Sequence, residues 1–300
     1  MAFAHGKILL LGEHAVVYGR PALAAGLDRG MTASVVDGGG ARLQIPAWGV
    51  DVSPADSSAV ARAFAALLGA LPGELGGPTV RVEPGIPGGA GLGSSAALAV
   101  ATARALAAHA GFDLDDDALF DAAMAAERVF HGNPSGLDHA AAMHGGLLRY
   151  VRGMPPSLTP VVANTPLSLV VAQVAPGADT GAMVGGVAER RARLPVAIEA
   201  ALDAIAALVD RAQHAVEVGD VVSLGEAMTV NHGLLAALGV STPALDAACH
   251  AARAAGALGA KLTGAGGGGC VVALVDDASA DPVVSALAES GGMVLRASVG

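Results

Sequence analysis

Pro84-Gly-Ile-Pro-Gly-Gly-Ala-Gly-Leu-Gly-Ser-Ser-Ala96 is the stretch on which the reading of this chain turns. A strand pattern, Val80-Arg81-Val82, runs into it, and residues 97–110, rich in strong helix formers, run out of it to a stop at Gly111. Glycines let successive backbone N–H groups point the same way, and a helix start adds partial positive charge. Together they make a cradle for phosphate. The Walker pattern needs Lys before Ser or Thr, but here Gly93 is followed by Ser94 and Ser95. The spacing of Gly89, Gly91 and Gly93 does not meet the dinucleotide pattern either. The stretch therefore predicts a phosphate loop of neither common type, formed by Gly88, Gly89, Ala90, Gly91, Leu92, Gly93, Ser94 and Ser95.

Three further segments carry chemistry-bearing side chains. Glu127 closes one helical pattern and Asp138 opens the next, with HGNPSGLD (131–138) turning between them. Such a turn can bring two carboxylates to one pocket, as phosphoryl transfer requires for Mg²⁺ and for the attacking hydroxyl. A solvated helix surface is the plainer account of either residue alone. Lys7 opens the apolar run 7–11, which reads as a buried strand and leads to GEHAVVYG (12–19) with its polar pair Glu13–His14. KLTGAGGGGC (261–270) places four consecutive glycines between two strand patterns. Glycine weakens regular structure by about 0.5–1 kcal/mol, so such a run marks a hairpin loop or close backbone approach to a ligand.

Outward from these segments, strands and helices mix without regular alternation, which predicts an α+β fold. Helices are expected at 57–68, 115–130, 134–143, 183–218 (broken by Pro195), 220–237, 243–255 and 281–290, and strands at 32–36, 43–45, 167–174 and 293–299. A turn at 37–40 joins two of the strands. Pro155, Pro156, Pro160 and Pro166 cluster as at a junction, dividing the chain into domains 1–165 and 166–300.

Apolar residues are 53% of the 300, enough for a large core, and the net charge of −10 leaves no basic face for nucleic acid. The uncharged stretches near 84–103 and 153–178 are broken by Pro, Gly, Ser and Thr, which argues against membrane spans. The apolar run at 8–11 is too short for a signal peptide, and Cys249 and Cys270 have neither metal-ligand spacing nor the number for a disulfide framework. A reducing cytoplasm is the expected setting. Of 17 basic residues only Lys7 and Lys261 are lysines. Where Arg is so favoured, a retained Lys marks either a place that a planar guanidinium would not serve or a chance survivor of the bias.

Taken together, Gly6-Lys7 with GEHAVVYG, the loop from Pro87 through GGAGLGSSAA, and KLTGAGGGGC resemble the three signatures of the GHMP family of small-molecule kinases, and they span nearly the whole chain. GEHAVVYG with HGNPSGLD, and NHGLLAALGVSTP (231–243), resemble the mevalonate-phosphorylating branch. The resemblance implies a two-domain fold, with an N-terminal half like domain 2 of ribosomal protein S5 and a C-terminal ferredoxin-like α/β sandwich. The active site would lie in the cleft between them. It implies an enzyme that passes the γ-phosphoryl group of ATP, with Mg²⁺, to the primary hydroxyl of mevalonate. Under this resemblance the glycine loop holds the ATP phosphates, and Ser95 and Glu127 hold Mg²⁺. Asp138 receives the hydroxyl proton, and Lys7 beside it stabilises the transferring group. Glu13, His14, Thr180, Gly264 and Ala265 contact the substrate side. Dimers occur in the family. Another member of the family, such as a phosphomevalonate kinase, is the alternative, and a non-catalytic sensor on the same fold would be signalled by loss of Lys7, Glu127 or Asp138. His5 and His139 stand where the family usually has Pro and Asn.

Overall fold

The computed structural model describes every residue except 37–38, 74, 76, 132–134, 154–155 and 290–291, and only the backbone at 131. The expected turn at 37–40, the helix boundaries at Gly132 and Pro134, Pro155 and the end of the last helix fall wholly or partly outside the described residues. In chain order the elements begin with β1 (Ala2–Leu11), β2 (Pro21–Val36), β3 (Arg42–Ile45), β4 (Val50–Val52), α1 (Ala59–Ala70) and β5 (Thr79–Pro84). Next come α2 (Ser94–Ala110), α3 (Asp116–His131), α4 (Leu137–His144), β6 (Gly146–Val151), β7 (Ser157–Val161) and β8 (Leu167–Ala175). The chain continues through α5 (Thr180–Arg193), α6 (Pro195–Val218), α7 (Val221–Ala237) and α8 (Pro243–Ala254). It finishes with β9 (Gly259–Thr263), β10 (Gly269–Val275), α9 (Ala280–Ala288) and β11 (Val294–Val299). The fold is α+β.

Two compact units divide these elements. One holds Met1–Lys7, Asp28–Gly88 and Leu92–Gly145; the other holds Ile8–Leu27, Gly89–Gly91 and Gly146–Gly300. β1 leaves the first unit after Lys7, and β2 enters it at Asp28.

In the first unit β5 pairs antiparallel with residues 31–36 of β2 and parallel with β3, which pairs antiparallel with β4. α2 packs against α3 and α4, and α1 packs against α3. Nearly all of α2 is buried, and its alanines account for much of that. Small side chains let neighbouring helices approach closely, so this helix is fixed on several sides. It starts at Ser94 rather than at 97, because Gly93 takes the left-handed conformation (φ 69°) and serves as N-cap. Ser94 and Ser95 are therefore its first turn. Gly111 (φ 75°) ends it as expected.

In the second unit residues 21–26 of β2 pair with β6, and β6 pairs with β7. β7 lies inside the proline-rich stretch read as a junction. Pro160 is tolerated there because β7 ends its sheet, so the missing N–H costs no second ladder. The first half of β2, Pro-Ala-Leu-Ala-Ala-Gly-Leu, shows little strand propensity and is extended by its pairing to β6. A second sheet, ordered β11-β8-β10-β9, is antiparallel throughout. Its core includes Leu202 and Ile205 of α6, Leu235 of α7, Leu245 of α8, Leu262 and Val271, all fully buried. Pro195 starts α6, which separates it from α5 as the sequence implies. Thr242 caps α8, its hydroxyl accepting from Leu245 N–H with Pro243 next in line. Among the described residues no helix is long and apolar enough to cross a membrane.

Candidate active site

The first unit builds a phosphate-type site from four side chains and a helix end. α2 presents its N-terminal turn behind Gly93, with no side-chain cap and no acidic residue in that turn. The N–H groups of a helix's first turn and the macrodipole favour an anion. The adjoining residues Gly89 and Gly91 also have positive φ, 69° and 80°, where only glycine is at ease. The one tryptophan, Trp48, packs its ring against Gly88 at the start of the loop: a methyl on Gly88 would stand 3.3 Å from it.

Ser95 Oγ donates to Glu127 Oε1 at 3.0 Å, joining α2 to α3. Glu127 is only 3% exposed. A buried carboxylate is costly unless hydrogen-bonded or set against a cation. A hydroxyl and a carboxylate are hard oxygen donors, and Mg²⁺ takes one or two of these together with substrate phosphates. The donor set thus fits Mg²⁺ held jointly with a nucleotide. It does not fit a self-sufficient metal cage, since no group of three His, Cys, Asp or Glu could hold an ion among the described residues.

Lys7 is buried, and its Nζ lies 2.9 Å from Asp138 Oδ1. Lys7 N–H donates to Leu92 O at 2.8 Å, tying the strand to the loop. Asp138 sits in the first turn of α4, where the helix end favours a carboxylate. That turn depends on Gly136 (φ 83°), because a methyl there would come within 2.7 Å of the Phe120 ring. The two departures from the family pattern pack locally. His139 is fully buried edge-on to Phe120, with ring centroids 5.7 Å apart. His5 stands edge-on to Phe3 and closely under Gly145.

The second unit assembles the remaining residues. His14 is the one non-glycine residue with positive φ (60°) among those described, a strained backbone of the kind concentrated at functional sites. Its ring pairs with Ala265 O at 2.9 Å through Nε2. A carbonyl only accepts, so Nε2 carries the proton and Nδ1 keeps a lone pair. Burial holds the His14 pKa below its ordinary value, against the Ala265 bond and the neighbouring Glu13. Glu13 is 1% exposed, and it bonds to the fully buried Lys261 and, at 3.1 Å, accepts from Asn231 Nδ2.

The glycine run 264–269 links β9 and β10. Its glycines answer chiefly to the protein's own backbone: methyls at Gly266 and Gly268 would sit 2.1 Å from Val240 O and Pro176 O. Gly264 lies against Gly91, with a methyl-to-oxygen distance of 3.9 Å. Thr180 opens α5 in an exposed position just after its N-cap Asp179. Cys249 and Cys270 are buried, and burial pushes both thiols up to about 12, so neither is a nucleophile.

The geometry brings together Lys7 with Asp138, Ser95 with Glu127, and His14 with Ala265. It adds Lys261 and Asn231, whose roles could not be read along the chain. The signals were present: Lys261 is one of two lysines in an arginine-rich chain, and Asn231 opens the NHGLLAALGVSTP segment.

A glycine loop feeding a buried helix, a lysine–aspartate pair and a hydroxyl–carboxylate pair define a small-molecule phosphotransferase, and the chain belongs to the GHMP kinase family. The family's N-terminal domain model matches residues 55–146 and its C-terminal model residues 204–292. Within that family it is similar to mevalonate kinases. The one from Thermococcus sibiricus is 36% identical over 317 residues, covering 98% of this chain and 94% of the relative. The one from Methanothermobacter thermautotrophicus is 37% identical, covering 95% and 93%. Among solved structures, an L. major mevalonate kinase in complex with R-mevalonate superposes with a TM-score of 0.88 at 31% identity, covering 99% of this chain and 94% of that one.

Proposed function

We propose that this chain phosphorylates the primary hydroxyl of mevalonate with ATP and Mg²⁺. The reading rests on one observation above all: the Lys7–Asp138 pair at 2.9 Å, in a chain 36% identical over almost its full length to a protein named mevalonate kinase. In this reading the glycine loop and the α2 N-terminus hold the ATP phosphates. Ser95 and Glu127 hold Mg²⁺, which neutralises phosphate charge when bound. The mevalonate hydroxyl oxygen forms a bond to the γ-phosphorus, and the bond from that phosphorus to the bridging oxygen breaks, leaving ADP. The hydroxyl proton passes to Asp138. Lys7 orients Asp138 and stabilises the charge on the transferring group. His14 and Ala265, with Gly264 and Thr180, face the substrate, and Glu13 serves it from beneath His14. The domain division 1–165 and 166–300 and a cytoplasmic setting complete the proposal.

A coupled ADP-release assay with Mg·ATP tests it, offering mevalonate, 5-phosphomevalonate, galactose and homoserine in parallel. Turnover with mevalonate is expected. Turnover only with another acceptor would overturn the substrate, and nucleotide binding without turnover on any of them would point to the sensor.

A further inference from the structure

Lys261 and Asn231 stand outside the chemistry described so far, yet they surround one of its residues. The Lys261 side chain is fully buried, and its Nζ bonds to Glu13, to Leu9 O at 3.3 Å and to Leu262 O at 2.6 Å. Three acceptors match the three hydrogens of an ammonium. A planar guanidinium offers its donors in a fixed fork and cannot reach this arrangement. Burial pulls the Lys261 pKa below its ordinary value, and the Glu13 carboxylate opposes that pull.

The second oxygen of Glu13 accepts from Asn231 on α7. Asn231 reaches it because α7 lies unusually close to β9: a methyl on Gly225 would meet Leu258 O at 2.3 Å, and one on Gly259 would meet Gly225 O at 2.1 Å. The next residue of α7, His232, accepts from Leu262 N–H at 3.3 Å through Nδ1, while its Nε2 faces Asp246 Oδ1 at 3.1 Å. α7 thus holds both Glu13 and the backbone directly after Lys261. Thr263 completes the cluster, its hydroxyl accepting from Leu9 N–H and donating to Leu9 O, both at 3.1 Å. The residue that Glu13 precedes is His14, with the strained φ and the ring bonded to Ala265. Ala265 itself lies two residues beyond Thr263.

We propose that Lys261 and Asn231 are positioning residues for the substrate, clamping the Glu13 carboxylate so that His14 is held in its strained conformation against Ala265. Neither side chain touches the reacting atoms; both act through Glu13. The proposal rests on the mevalonate reading for its kinetic form, but not for its structural one.

Two variants test it: Lys261→Met, which keeps the stem and removes the ammonium, and the double variant Glu13→Gln with Lys261→Met, which removes both charges and so avoids a lone buried carboxylate. The mevalonate KM is expected to rise about 10–100-fold, the penalty typical of losing a supporting contact, while the ATP KM stays within twofold. The second readout is the ¹⁵N spectrum of the His14 ring in the resting protein, identified by difference against His14→Gln. The wild type should show a proton on Nε2 and a bare Nδ1, and the variants should lose that fixed tautomer. Folded variants with a wild-type mevalonate KM and a wild-type His14 spectrum, lower only in Tm, would show a merely structural ion pair and overturn the proposal. If wild-type protein does not turn mevalonate over at all, the activity reading fails by itself, and the His14 spectrum decides the clamp.

Discussion

Replacing Lys7 with Met removes one ammonium and little else. The stem that packs beside Gly93 remains, since a methyl on Gly93 would lie 3.2 Å from Lys7 Cβ. At the observed 2.9 Å the pair with Asp138 has a Coulomb energy of about 6 kcal/mol at an effective dielectric of about 20. Little of that reaches folding stability. The Asp138 side chain is 36% exposed, so water takes over much of the solvation of its carboxylate when the partner goes. Pairs reached by solvent in this way contribute about 1 kcal/mol or less. At about 2–4 °C per kcal/mol for a chain of this size class, Tm should fall by only a few degrees. Catalysis loses more. In the proposed mechanism Lys7 is a preorganised donor to the transferring phosphoryl group, and removing such a donor costs about 2.7–4 kcal/mol, or about 10²–10³ in kcat. ADP release with mevalonate measures the loss. Trp48, alone among the residues in being a tryptophan and packed on the loop at Gly88, gives nucleotide affinity by fluorescence in the same protein. The expected result is a collapsed kcat with near-normal nucleotide binding. Turnover within threefold of wild type, or a fold that melts more than about 10 °C early, would refute this division between catalysis and stability.

Two other outcomes follow from the same geometry. Ser95→Ala removes the hydroxyl that donates to the buried Glu127, and should raise the Mg²⁺ concentration needed for half-maximal activity by about tenfold; an unchanged Mg²⁺ titration would sink the metal assignment. The pKa values of His14 and His232 are both held down by burial, so below about pH 6.5 the unfolded chain binds more protons than the folded one. Stability should therefore be intact above pH 6.5 and fall on acidification toward the lowered folded values, by at most about 1.4 kcal/mol per pH unit for each histidine. Thermal melts from pH 7.5 to 5.5 should show this, with a shallower slope in His232→Asn; a Tm that rises on acidification would contradict it.

Local rules were legible along the chain. The loop before α2, its stop at Gly111, the Thr242-Pro243 start of α8 and the break at Pro195 follow from glycine, capping and proline rules that act across a few residues. The motifs likewise pointed to phosphate chemistry, because that chemistry needs those residue types in one loop. Elements held by partners rather than by propensity were not legible. The alanine-rich start of β2 is a strand because β6 pairs with it, and β7 is one despite Pro160 because it lies at an edge. Tertiary structure alone decided what Glu13 does. Read along the chain it is a polar residue at the end of a strand, open to a ligand. In the fold it is buried on Lys261, 248 positions away, where α7 approaches β9 closely at two glycines. A carboxylate placed there must find a cation, and no rule of local sequence says which one.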